Sequence, residues 1–254
     1  ISERGAKELR YAEVREIAPK RRLSCSSTIQ GDLVIDVRQD TGEQGTPTDF
    51  LAFHAKGQPS FVEGHVRMGI KAHLQTIDTG FRMIAARPAL AGKPIIIGES
   101  DPEGCAACQG PRFGYRNGTM YSSYTAASFA RKHDLAARHG VNLEGALTWA
   151  FEFEDQPWFA GFRVLATNGI PLPVFTVFRM FSQMGAERIP ATGDGAVALG
   201  TILKAGVRQA PDVAALASRD ARRVTVLAWH YHDDDVAGPA AAVGPAAGAA
   251  GAAA

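Results

Sequence analysis

Pro94-Ile-Ile-Ile-Gly-Glu-Ser-Asp101 decides the fold. Three β-branched residues in a row, entered from a proline, predict a strand covered on both faces, as in parallel sheets. Glu99-Ser-Asp101 then marks where that strand surfaces. Upstream, Asp49-Phe-Leu-Ala-Phe-His54 is a second short apolar run ending in polar residues, and Asn142 to Glu152 is a third strand candidate. Helical patterns separate the three. Gly64 to Ala86 carries Met68, His73, Ile77, Phe81 and Ile84 near helical spacing, and Thr119 to His139 is stopped by Gly140. Pro171 to Met184 forms a third helix, opened by prolines and closed by Gly185. Strands and helices in alternation imply an α/β fold of parallel βα units.

The remainder differs in composition. Residues 1–48 are charged and mixed, with a loop at Gly42-Glu-Gln-Gly-Thr-Pro47. Residues 186–237 hold shorter segments, and Arg222 to Tyr231 alternates like an antiparallel strand with one solvated face. Residues 238–254 are almost only Ala, Gly, Pro and Val, which predicts a disordered tail. With 27 Lys+Arg against 26 Asp+Glu, the net charge of +1 excludes an electrostatic grip on nucleic acid or an anionic membrane. No stretch has the roughly 18 apolar residues of a membrane span. The chain begins at Ile1 without a signal-peptide pattern, which predicts that the natural start lies upstream.

Parallel α/β barrels place their active sites at the C-terminal ends of the strands. Here those ends carry His54-Ala-Lys56, Glu99-Ser-Asp101 and Trp149-Ala-Phe-Glu152-Phe-Glu154-Asp155. Carboxylates suit acid/base or nucleophilic work on a glycosidic bond, and a Trp offers a flat face to a sugar ring.

Phe53-His-Ala-Lys-Gly57, the run from Pro94 to Cys108, Tyr115-Arg-Asn-Gly-Thr-Met-Tyr121 and Leu147-Thr-Trp-Ala-Phe-Glu-Phe-Glu-Asp155 resemble bacterial β-xylosidases of glycoside hydrolase family 39. The resemblance runs from about Gly45 to Pro239. It implies a retaining enzyme with a (β/α)8 barrel and an accessory β-sandwich. Asp49–His54, Lys93–Gly98 and Asn142–Phe151 then become barrel strands six, seven and eight. Residues 45–185 become the C-terminal part of the barrel, and 186–237 a sandwich segment; 1–44 match poorly.

By the same resemblance Glu99, at the end of strand seven, is the nucleophile of a double displacement. His54 and Lys56 supply it with positive charge and contact substrate, Trp149 stacks under the sugar, and Glu152 or Glu154 holds its hydroxyls. No cofactor and no metal are implied, and the substrate is a xylo-oligosaccharide or an aryl xyloside. The resemblance to bacterial enzymes implies a cytoplasmic or periplasmic setting. The family's acid/base lies in an Asn-Glu-Pro motif that occurs nowhere in this sequence. It is therefore expected outside the chain, along with the first barrel strands. Two other readings stand beside this one: an inactive remnant that only binds sugar or a partner, and a family member of iduronidase-like specificity. Three βα units leave open sheet edges, so the chain alone is expected to be marginally stable, to aggregate or to form homo-oligomers.

Other motifs read more plainly. Asp101 and Glu103 read as loop residues rather than catalysts. Cys105-Ala-Ala-Cys108 has no second CxxC to complete a zinc site and no thioredoxin-like order of elements for a redox pair, so a loop-stapling disulfide or two free thiols is the preferred reading. His230-Tyr-His232-Asp-Asp-Asp235 reads as an exposed strand end running into an acidic turn, in preference to a metal cluster.

Overall fold

The computed structural model describes residues 48–234 except Ala91, Phe151, Glu152 and Glu154. The expectations for residues 1–44 and 238–254 lie outside the described residues.

Three parallel strands carry the candidate site: β1 (Leu51–Lys56), β4 (Pro94–Asp101) and β5 (Asn142–Ala146), in the order β1-β4-β5. Helix α1 (Ile70–Ala85) connects β1 to β4, and α2 (Thr119–His139) connects β4 to β5. Helix α3 (Pro173–Phe181) follows β5. These are the three strand–helix units expected from the sequence. The core lies between sheet and helices. Ile95 and Ile97 of β4 are fully buried, as are Ile70, Leu74, Ile77 and Phe81 of α1 at helical spacing. Small residues, Ala127 and Ala130 among them, let α2 approach closely.

The element bounds depart from the sequence expectation in three places. The helix expected from Gly64 starts at Ile70. Before it, β2 (Ser60–Val62) and β3 (His65–Arg67) form a hairpin. Its turn places Glu63 and Gly64 at positive φ, 50° and 82°, which no helix accommodates. The third strand ends at Ala146, but its pairing runs one residue further, with Leu147 N donating to Ile97 O and Ser100 N to Leu147 O. The third helix begins at Pro173, because a proline is best tolerated in the first turn.

A bulge in β4 matters most for function. Pairing with β1 runs Phe53↔Ile97 and then His54↔Glu99, so Gly98 is the extra residue. Strand alternation from Ile95 and Ile97 would send Glu99 under the helices. The bulge shifts that parity. Ser100 now faces the helix layer, where its Oγ meets His73 Nε2 at 2.9 Å, and Glu99 and Asp101 join His54 and Lys56 on the opposite face. A side chain at Gly98 would touch the His54 imidazole at 3.4 Å.

After a short hairpin of β6 (Ala166–Thr167) and β7 (Ile170–Pro171), the last part forms an antiparallel sheet of β8 (Glu187–Ile189), β9 (Asp212–Arg219) and β10 (Val224–Tyr231), in the order β10-β9-β8. Strand β10 alternates as expected, with Leu227, Trp229 and Tyr231 buried and Val224 and Val226 exposed. The sheet is tied to α2. Arg131 pairs with buried Asp212 at 2.8 Å, Trp229 Nε1 donates to the same carboxylate, and Tyr231 meets Tyr124 edge to face. The acidic turn after β10 is not a solvated end. Asp233 is buried and accepts from Tyr231 Oη and Val207 N, while Asp234 pairs with Arg67 at 2.5 Å. Asp235 lies outside the described residues.

Candidate active site

Two neighbouring strand ends build the centre. Lys56, the last residue of β1, places Nζ 2.6 Å from Glu99 Oε2 and 2.5 Å from Asp101 Oδ2. His54 Nδ1 lies 3.5 Å from Glu99 Oε1, a contact too long for a strong hydrogen bond. The Lys56 ammonium is also 5.8 Å from the centre of the Trp149 indole, within cation–π range. Glu99 keeps 18% of its side chain accessible and His54 keeps 59%, while Asp101 has none. Glu99 therefore faces a space a ligand can enter, and Asp101 does not.

Behind this pair lies a buried network of alternating charge. Asp101 Oδ1 accepts from Thr148 Oγ1 at 2.6 Å and from Trp149 N at 2.9 Å, which locks the chain after β5 onto the end of β4. Arg163 Nη2 approaches Asp101 Oδ2 at 3.5 Å, and its Nε donates to Trp149 O at 2.9 Å. Arg163 Nη1 donates to both the carbonyl and the carboxylate of Glu103. Glu103 Oε1 also takes Arg116 at 2.9 Å and Tyr115 Oη at 3.0 Å, and its Oε2 takes Cys105 N. Arg116 further donates to the carbonyls of Cys105, Cys108 and Gly161. The order Arg116, Glu103, Arg163, Asp101, Lys56, Glu99 alternates in sign. Each buried charge thus has a partner of opposite sign, the condition under which burial is tolerated. Cys105 and Cys108 form a disulfide within this loop.

On the helix side, His73 bridges the layers. Its Nδ1 lies 2.9 Å from Tyr124 Oη, opposite the contact to Ser100. Full burial pushes the imidazole well below its usual range, so the ring is neutral, with one nitrogen donating and the other accepting. Lys132 on α2 is also buried, and desolvation lowers its ammonium to about 7.

The structure thus brings together four of the residues singled out in the sequence: Glu99, His54, Lys56 and Trp149. Glu152 and Glu154 lie outside the described residues. Asp101 is the last residue of β4 rather than a loop residue, while Glu103 lies in the loop after it as expected; both are buried anchors, because each meets an arginine that sequence adjacency does not reveal. The Glu99-Ser-Asp101 spacing was a usable signal for Asp101, since residues two apart on a strand share a face. Arg163, Arg116 and Thr148 carried no local signal. Among the described residues no cluster of three His, Cys, Asp or Glu side chains is arranged to hold a metal ion.

The three parallel βα units, with carboxylates and a lysine at their C-terminal strand ends, form a partial barrel-like α/β fold. More narrowly, the chain belongs to the glycosyl hydrolases family 39, whose sequence pattern matches residues 12–240. Among solved structures, it is similar to one described as the bacterial orthologue of human α-L-iduronidase, at 17% identity and a TM-score of 0.55. That match covers 74% of this chain and 31% of the other, so this chain spans about a third of that protein's length. No curated protein matches the sequence.

Proposed function

We propose that this chain carries the nucleophile side of a retaining glycoside hydrolase, with Glu99 as the nucleophile and a β-xyloside as substrate. The observation that carries the reading is the partly accessible Glu99 carboxylate at a strand end, gripped by Lys56 at 2.6 Å beside the half-exposed Trp149. Glu99 attacks the anomeric carbon, the bond to the leaving oxygen breaks, and a glycosyl ester forms; water then releases the sugar and frees the carboxylate. Trp149 supports the sugar ring. His54, with most of its ring accessible, donates to a sugar hydroxyl.

Retention requires a second carboxyl group about 5–5.5 Å from the first to protonate the leaving oxygen and later activate water. Asp101 does not serve. It is fully buried, and its oxygens are taken by Thr148, Trp149 N and Lys56. With no Asn-Glu-Pro in the sequence, we assign the acid/base to a Glu outside this chain. Residues 45–185 are then the closing part of the barrel, and the β8–β10 sheet is part of an accessory sandwich.

The charge balance favours a neutral sugar. Among the described residues, Lys56 already faces two carboxylates and Arg163 sits between Asp101 and Glu103, so neither is an uncompensated cation for a uronate in the glycone position. An iduronidase-like specificity, as in the protein of similar fold, is the reading to test against.

A dinitrophenyl fluorodeoxyxyloside has a leaving group good enough to depart without an acid. Incubated with the full chain, it is expected to add one fluorosugar to Glu99 by intact mass and peptide mapping, and Glu99→Gln is expected to stay unlabelled. Labelling at another residue, or faster labelling by the corresponding iduronide, would overturn the reading.

A further inference from the structure

Beside the candidate site lies a cavity that the catalytic reading does not use. It measures about 270 Å³ and opens between the residues after β1 (Gly57, Gln58, Pro59), the loop after β4 (Glu103 to Cys105), and Arg112 with Phe113. That is just under the roughly 300–1,000 Å³ of pockets for drug-sized ligands, and so fits a single ring. Gly57 directly follows Lys56, and its N–H donates to Asp101 O at 2.9 Å. The cavity therefore begins one residue from the lysine that pairs with Glu99.

We propose that this cavity, beside the candidate catalytic strand end, binds a sugar unit bearing a carboxylate, with Arg112 as the residue that recognises the charge. That this sugar belongs to a glycosidase substrate rests on the reading above; the binding site itself does not. Three observations carry it. The exposed Arg112 lines the cavity, and its guanidinium lies 4.5 Å from the ring of buried Phe113, a cation–π contact that favours this placement. No carboxylate among the described residues pairs with Arg112. The carboxylate in the cavity wall, Glu103, is already engaged by Arg116, Arg163, Tyr115 and Cys105 N, and does not neutralise it. Finally, the wall is preformed, because the Cys105–Cys108 disulfide and the Arg116 contacts to both cysteine carbonyls hold it. A guanidinium without a carboxylate partner among the described residues, at a ring-sized cavity, selects a carboxylate, which it can bind through two parallel N–H donors.

The test is an amide NMR titration of the full chain with methyl β-glucuronide and methyl β-glucoside, which share a ring and differ by the carboxylate. The glucuronide is expected to shift the amides of Gln58, Gly104, Cys105 and Phe113, and to bind about fivefold more tightly than the glucoside, as one partly exposed charge pair allows. Arg112→Gln is expected to abolish the difference, and Arg112→Lys to restore part of it. Absence of shifts at these amides with either glycoside would overturn the proposal, as would a preference that survives Arg112→Gln. Fluorosugar labelling of Glu99 reads the catalytic assignment separately. Labelling without glucuronide preference removes this site alone, and preference without labelling removes the catalytic reading alone.

Discussion

Lys56 and Glu99 lie on neighbouring parallel strands and meet at 2.6 Å, although register alone sets His54, not Lys56, opposite Glu99. The lysine reaches back along its strand, and its second partner, Asp101 at 2.5 Å, is its true register neighbour. One ammonium thus holds two carboxylates that differ in burial. The buried one anchors the lysine, and the accessible one is left facing the ligand space.

Lys56→Met is expected to slow fluorosugar labelling of Glu99 by about 100-fold, the effect of losing one oriented charge at a reacting group. Lys56→Arg keeps the charge but not the point geometry, and is expected to fall between the two. Labelling rates by intact mass check this; an unchanged rate in Lys56→Met would remove Lys56 from the machinery.

Asp101→Asn tests the anchor. The amide oxygen retains the bonds from Thr148 Oγ1 and Trp149 N, but Lys56 and Arg163 lose a buried counter-charge. Breaking one side of such a pair costs roughly 3–5 kcal/mol when the remaining charge is uncompensated. Arg163 still has Glu103, and Lys56 still has Glu99, so a loss of about 2–3 kcal/mol is expected by urea denaturation. A loss below the error of the extrapolation would show that Asp101 is not an anchor.

Gly57 carries a steric requirement. A Cβ there would stand 2.4 Å from Pro102 O and 2.5 Å from Tyr124 Oη, and the carbonyl belongs to backbone that cannot swing away. Gly57→Ala is expected to destabilise by about 2 kcal/mol or more, in the range of overpacked cores. Gly145→Ala, where nothing lies within 4 Å of the added carbon, is the comparison and is expected to be close to neutral. Equal melting temperatures for the two variants would contradict the close packing at Gly57.

The parallel strands were legible because Ile95-Ile96-Ile97 puts apolar side chains on both faces of β4, fully buried at Ile95 and Ile97 and half-buried at Ile96, as the continuous apolar runs of parallel sheets do. The candidate nucleophile was legible through its motif. The face it occupies was not, because a one-residue bulge at Gly98 reverses parity and leaves no compositional trace beyond the glycine. Arg163 and Arg116 were illegible for a different reason. Their partners lie 60 and 13 residues away on loops, and long-range charge pairing has no period to read. The hairpin at Glu63-Gly64 was masked by apolar residues whose spacing continues the helical pattern of α1.

Reduction of Cys105–Cys108 is expected to have a small thermodynamic cost. The bridge closes a loop of sequence separation 3, for which chain entropy gives about 2 kcal/mol. Arg116 still ties the carbonyls of both cysteines after reduction. A modest drop in melting temperature, mirrored by Cys105→Ser with Cys108→Ser, is therefore expected. Global unfolding on adding reductant would show that the bridge, rather than Arg116, holds the loop.

Lys132 sets the pH dependence of stability near neutrality. Its amine is buried on α2, 5.3 Å from the centre of the Phe129 ring, and desolvation lowers it from 10.5 to about 7, with Asp101 opposing the shift. Between those values the unfolded chain binds a proton that the folded chain does not, so stability rises with pH across that window and the cost of burying the charge is fully present below it. The drop corresponds to at most roughly 5 kcal/mol. Above about pH 10 the buried phenols of Tyr121, Tyr124 and Tyr231, all raised by burial, reverse the slope, since only the unfolded chain then releases their protons. Urea denaturation from pH 7 to 9 is thus expected to show stability increasing with pH. Lys132→Met is expected to flatten that slope and to raise stability at pH 7 by a few kcal/mol, because the methionine fills the same space without a charge to desolvate. A parallel slope in the variant would assign the dependence to another group.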